Sequence, residues 1–153
     1  MMEKTNNVLN FDDGMEELKI NGDDNRVLRF NPLDQSILDK IMKANNEISA
    51  KLKDLEKETM ADKDKFDNMD KFVKEKIDGI FGIGTSQIVF GNASAVLTSK
   101  GSYIYENFLI AVMEYMTKKA NDEIALSKKR IEEYTKKAEE LKKWWHLEYC
   151  LNH

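Results

Sequence analysis

The sequence predicts a mainly α fold: a helical bundle with a short N-terminal β-hairpin and a long, partly protruding C-terminal helix. Three observations carry this expectation. Charged residues make up 34% of the chain, and Lys and Glu, prominent among them, lose little rotamer freedom in a helix. A single proline, Pro32, interrupts 153 residues, and proline is the strongest helix breaker. Apolar residues recur at spacings of three and four along long stretches, which places them on one face of a helix.

Residues 1–14 are polar, with scattered Asn and Asp and no sustained period, so a flexible arm is expected there. Over 15–31, two short apolar-containing runs, MEELKI and RVLRFN, flank the turn-forming NGDDN, the pattern of a hairpin. A bare two-stranded hairpin is marginal in water, so it must pack on the helices or add to a neighbour's sheet edge. Pro32 then punctuates the chain, and Asp34 or Ser36 can cap a helix over about 34–58. Its apolar stripe is Ile37, Ile41, Ala44, Ile48, Leu52 and Leu55, opposite a solvated face with Lys40, Lys43, Glu47, Lys51 and Lys53. The stripe fades across TMADKDK (59–65) and resumes as Phe66, Met69, Phe72, Val73, Ile77, Ile80 and Phe81, which predicts a helix over about 64–80. Two antiparallel helices are favoured over one, because a single helix of about 45 residues would be roughly 68 Å long.

The connector over 81–101 is nearly free of charge, so something must cover it. Its glycines mark turns, and a tight turn followed by a short helix capped by Thr85 or Ser86 is expected. Phe81, Ile83, Ile88, Val89 and Phe90 are the candidates to anchor it, part of that set being exposed for self-association or partner binding. Ser102 can cap the long helix of 103–143, whose stripe runs through Ile104, Phe108, Ala111, Tyr115, Ile124, Ile131, Ala138 and Leu141. The first half is rich in core residues, Phe108 among them. The second half is mostly charge with thin apolar positions, the composition of a coiled-coil strand, so it should pair, another copy being one partner. Trp144 and Trp145 concentrate apolar area in the aromatic tail 144–153, either as a cap on the core or as a docking patch.

Composition bounds the setting. The length suits one domain, treated as a single helical unit over 15–143, and 41% hydrophobic content with a mean hydropathy of -0.61 leaves a modest core. A net charge of -4 argues against a general nucleic-acid partner, because phosphate neutralisation needs a basic surface. The lysine doublets from Lys118-Lys119 to Lys142-Lys143 fit solvated helix positions. Cys150 is the lone cysteine, so no intrachain disulfide forms and a reducing compartment is expected. No run approaches the roughly 18 apolar residues that span a bilayer, so no membrane partner is expected.

Groups able to carry chemistry are sparse. GIGTSQ places Gln87 where the dinucleotide fingerprint needs a small residue, and no Gly-Lys-Ser/Thr follows. His146, Cys150 and His153, at spacings of four and three, could share a metal on a helix, although an exposed tail is the favoured reading. Cys150 has no identifiable oxyanion donor or third group, so neither an enzyme nor a cofactor is expected. Asp62, Asp64, Asp67 and Asp70 alternate with Lys63, Lys65 and Lys71 as on a solvated face, without the glycine turn of a calcium loop.

Taken in order, the RFNPLD step into a helix, the segment KIDGIFGIGTSQIVFGNASAV and the aromatic-led helix YIYENFLIAVMEY resemble small tail assembly chaperones of siphophages that infect Gram-positive bacteria. The similarity spans about Arg29 to Tyr115. Its most specific part is the pattern formed by Asp78, Phe81, Gly82, Gly84, Thr85, Ser86, Phe90 and Gly91, followed by Phe108-Leu109. The resemblance implies a non-enzymatic protein of the infected cell's cytoplasm, not retained in the virion. It would coat the tape measure protein, help recruit subunits of the major tail tube protein, and self-associate. The C-terminal WWHLEYCLNH departs from the pattern. The alternative is a small phage-encoded helical inhibitor or regulatory binding protein that occupies a basic groove on a host enzyme or defence system.

Overall fold

A computed structural model describes residues 6–152. The fold is mainly α. Strands β1 (Glu16–Lys19) and β2 (Val27–Phe30) form the antiparallel hairpin, followed by helices α1 (Gln35–Glu56), α2 (Asp62–Phe81) and α3 (Thr85–Phe90). A two-residue ladder of β3 (Thr98–Ser99) and β4 (Ser102–Tyr103) leads into α4 (Ile104–Asn152). The chain divides into two compact units, the first ending at Glu114 and the second beginning at Tyr115. Each unit has its own account below.

Residues 6–14 hold no regular element, and residues 1–5 of the expected arm lie outside the described residues. Asp12 and Asp13 accept from the amides of Gly14 and Met15 at 2.9 Å, turning the chain into β1. In the hairpin, Glu16 pairs with Phe30 and Leu18 with Leu28. Because side chains alternate across a strand, Leu28 and Phe30 share the buried face while Arg29 is exposed. The loop closes where the amide of Ile20 donates to the carbonyl of Arg26 at 2.8 Å.

Asp34 supplies the cap of α1: its carboxylate accepts from the Ser36 amide at 2.9 Å and from the Ser36 hydroxyl at 2.7 Å. The hydroxyl bond, then the amide bond, holds the Asp34 carboxyl below its ordinary range. α1 buries Ile37, Ile41, Ala44, Ile48 and Leu55 against Met69, Val73, Ile77 and Ile80 of α2. Ile48, Val73 and Ile77 are the largest side chains fully removed from solvent among the described residues. The two helices run antiparallel: Glu47 of α1 pairs with Lys76 of α2, and Lys51 lies over the ring of Phe72. The Lys76 bond lowers the Glu47 pKa. The break between the helices falls at residues 57–61. Phe66, expected in the buried stripe, is instead 40% exposed. It lines a cavity of about 330 Å³ with Leu52, Leu55, Met69, Val96 and Tyr105, so the first turns of α2 have no closely packed cover on that side.

Within the first unit, the buried residues of α4 are Tyr105, Leu109 and Val112. The expected stripe of Ile104, Phe108 and Ala111 is displaced by one position, with Ile104 and Phe108 half-buried and Ala111 exposed. Ser102 does not cap this helix; it lies in β4. The first amides of α4 are satisfied by the loop before it, Ile104 donating to Leu97 at 2.8 Å and Tyr105 to Ala95 at 3.0 Å.

Burial pushes the phenol of Tyr105 up to about 12 from 10.0, with the neighbouring charges of Glu106 and Tyr103 adding to the shift. The native state holds this proton more tightly than the unfolded chain does. Tyr105 therefore contributes stability that is fully present below pH 10 and is lost as pH rises toward 12. Between about pH 9 and about pH 11, the urea midpoint of the wild type should fall further than that of Tyr105→Phe. Equal falls would remove Tyr105 as the cause.

Candidate interaction surfaces

The nearly charge-free connector folds around two glycines and three polar side chains from other elements. Gly82 (φ 120°) and Gly84 (φ 91°) occupy backbone regions that residues with a Cβ rarely enter, which lets α2 end and α3 begin within three residues. A helix of six residues has little stability of its own. Asp78, one turn before the end of α2, accepts from the amide of Ser86 at 2.7 Å and so caps α3 from outside. Neither Thr85 nor Ser86 caps it; both are buried. At the other end, the Arg26 Nε donates to the carbonyl of Ile88 at 2.8 Å, and a second guanidinium nitrogen donates to Val89.

The segment after α3 is held the same way. Asp70 accepts from the amide of Ala95 at 2.7 Å and from the hydroxyl of Ser94 at 3.2 Å, while its second oxygen pairs with Lys74 at 3.0 Å. Asp70 is thus a structural residue, and the solvated face expected for it is corrected. Asp78→Ala should lower stability by about 1 to 2 kcal/mol, the usual cost of a lost helix cap. Asp78→Asn, which keeps an acceptor oxygen, should lose less; equal losses would mean that the bond to Ser86 is not the reason.

An aromatic series ties this connector to its surroundings. Phe81 meets Phe30 and Phe108 edge-on at 5.7 Å in each case, and Phe108 meets Phe90 at 6.0 Å. Val89 and Phe90 are buried, while Phe81, Ile88 and Phe108 are half-buried. Ile83, between the two glycines, is fully exposed. Of the connector anchors, Ile83 alone is left facing solvent.

In the second unit, the helix is exposed at every position over 121–152. Ile124, Ile131, Leu141, Trp144, Trp145 and Leu151 are all among its exposed large apolar residues. The tail expected over 144–153 is helical through Asn152, so Trp144 and Trp145 stand on a helix face and remain more than half exposed. That amount of uncovered apolar surface marks a site of association rather than a core.

His146 Nε2 and Cys150 Sγ lie 3.8 Å apart on successive turns, and His153 is outside the described residues. Among the described residues, no group of three or more His, Cys, Asp or Glu side chains is placed to hold a metal. No helix among them is long and apolar enough to cross a membrane. In comparisons with known protein families, curated proteins and solved structures, the chain gives no match.

Proposed function

We propose that this protein is a non-enzymatic tail assembly chaperone of a siphophage, acting in the cytoplasm of the infected bacterium and absent from the virion. On this reading it binds and solubilises the tape measure protein and helps recruit subunits of the major tail tube protein. The observation that carries the proposal is the exposed apolar series of α4 from Ile124 to Leu151, on a helix whose remaining positions are largely charged. An elongated amphipathic client aggregates through its apolar stripe, and a helix of this kind can cover that stripe reversibly. The motif from Asp78 to Gly91 adds the family resemblance, and no turnover is required.

Co-expression with the tape measure protein from the same gene neighbourhood tests the proposal, read by pull-down and light scattering. A soluble complex with several copies of this chain is the expected result. An insoluble tape measure beside this chain alone would overturn it. Self-association along the client belongs to the same reading, with Ile83 as the exposed contact in the first unit. Ile83→Ser should therefore change stability by less than about 0.5 kcal/mol while reducing the number of copies per complex; an unchanged number would remove Ile83 from the contact.

A further inference from the structure

The apolar positions in the exposed half of α4 are regularly spaced. Ile124, Ile131, Ala138 and Trp145 recur every seven residues, and Tyr134 and Leu141 follow the second and third at a spacing of three, with the polar Ser127 in the corresponding place after Ile124. This is the a and d pattern of a coiled-coil strand. On a straight helix such a stripe drifts by about 20° per heptad, and it stays aligned only when the helix winds around a partner. Within the second unit nothing covers it: Ile131 is 64% and Tyr134 76% exposed.

The residues beside the stripe decide what covers it. Arg130 and Lys137 flank one edge and Lys128 and Lys142 the other, with Glu123 the single acid. Glu132, Glu133, Glu139 and Glu140 lie on the back of the helix. In a parallel pair of identical strands, Lys137 of one copy meets Lys142 of the other, and only Glu123 and Lys128 attract. In an antiparallel pair each edge faces its own kind, so in the registers of greatest overlap the basic positions meet other bases or the uncharged Thr135 and Trp144. Self-pairing therefore gains no net charge attraction, whereas acids on a partner would be attracted at Lys128, Arg130, Lys137 and Lys142, the charged flanking positions within residues 124–145. We propose that residues 124–145 of α4 form one strand of a heterotypic coiled coil whose other strand is an amphipathic helix with Glu or Asp flanking its apolar seam.

The inference rests on the reading of α4 as a client-binding face and adds the chemistry of the client. Its test uses the full chain and two synthetic peptides of about four heptads, both with Ile at a and Leu at d, one with Glu and one with Lys at the flanking positions. Trp144 and Trp145 are the chain's only tryptophans, so their emission reports binding directly. The Glu peptide should bind at least about tenfold more tightly than the Lys peptide and weaken as salt is raised. The double variant Ile131→Asn/Leu141→Asn should lose this binding with an unchanged melting temperature, both residues being exposed. Charge reversal at Lys128, Arg130, Lys137 and Lys142 should transfer the preference to the Lys peptide.

Equal binding of both peptides, or of neither, would overturn the inference. So would concentration-dependent dimerisation of the chain alone that is abolished by the double variant, because the occupant would then be a second copy. A soluble tape measure complex combined with indifference to the Glu peptide would sink this inference and leave the tail-assembly reading standing. Binding of the Glu peptide with no tape measure complex would do the reverse.

Discussion

Phe90→Ala should lower the stability of this protein by about 3 to 5 kcal/mol, the range for removing a buried aromatic side chain from a core. Phe90 is 7% exposed and closes the series that runs through Phe108 and Phe81 to Phe30. Four elements meet there, so neighbours cannot move into the vacated space without disturbing one another, and a cavity persists. The effect is enlarged by the shortness of α3, which relies on Phe90 and Val89 to hold it against the other elements. A urea titration checks the result: the midpoint should fall while the slope stays unchanged. Phe90→Leu should recover much of the loss, because it refills most of the volume. If Phe90→Ala left the midpoint in place yet abolished a partner complex, the ring would belong to an interface rather than to the core.

What could be read in advance was what depends on local periodicity. The α1 stripe from Ile37 to Leu55 is legible because most of its intervening residues are polar, and a three-and-four spacing then has one dominant solution. The start of α4 has several. In YIYENFLIAVMEYM apolar residues surround the helix, so the pattern cannot separate the face of Ile104 and Phe108 from that of Tyr105 and Leu109. Packing decides for the second, one residue away. The polar clamps were hidden for a different reason. Asp70 carries the same alternation with lysine as Asp62 and Asp64, and only the approach of Ser94 and Ala95 distinguishes it. Asp78 did leave a trace, since it and Ser86 are both members of the Asp-to-Gly motif and are joined by a hydrogen bond. The exposed half of α4 is legible as a helix from charge alone. That its apolar series runs on through Trp145 to Leu151 became visible only once residues 144–152 proved helical.

Arg26→Met should cost about 2 to 3 kcal/mol and loosen the hairpin before the rest of its unit, since hydrogen bonds from a charged donor contribute roughly this much when their acceptors are left without a partner. Arg26 ends the hairpin loop, yet its guanidinium donates to Ile88 and Val89, more than sixty positions along the chain. Those carbonyls belong to the last turn of α3, where no further helical amide exists to bind them. One side chain therefore satisfies the open end of a short helix and fixes a hairpin that two strands alone would hold weakly. Arg26→Lys should recover less than half of the loss, because an ammonium group cannot reproduce the two-pronged geometry of the fork. Hydrogen exchange separates this account from a general loss of stability. In Arg26→Met the amides bonded across β1 and β2 should exchange faster than in the wild type by a larger factor than those of α1 and α2. A uniform acceleration would mean that Arg26 supports the whole unit equally, and no acceleration with an unchanged urea midpoint would mean that its two bonds contribute nothing to holding the hairpin in place.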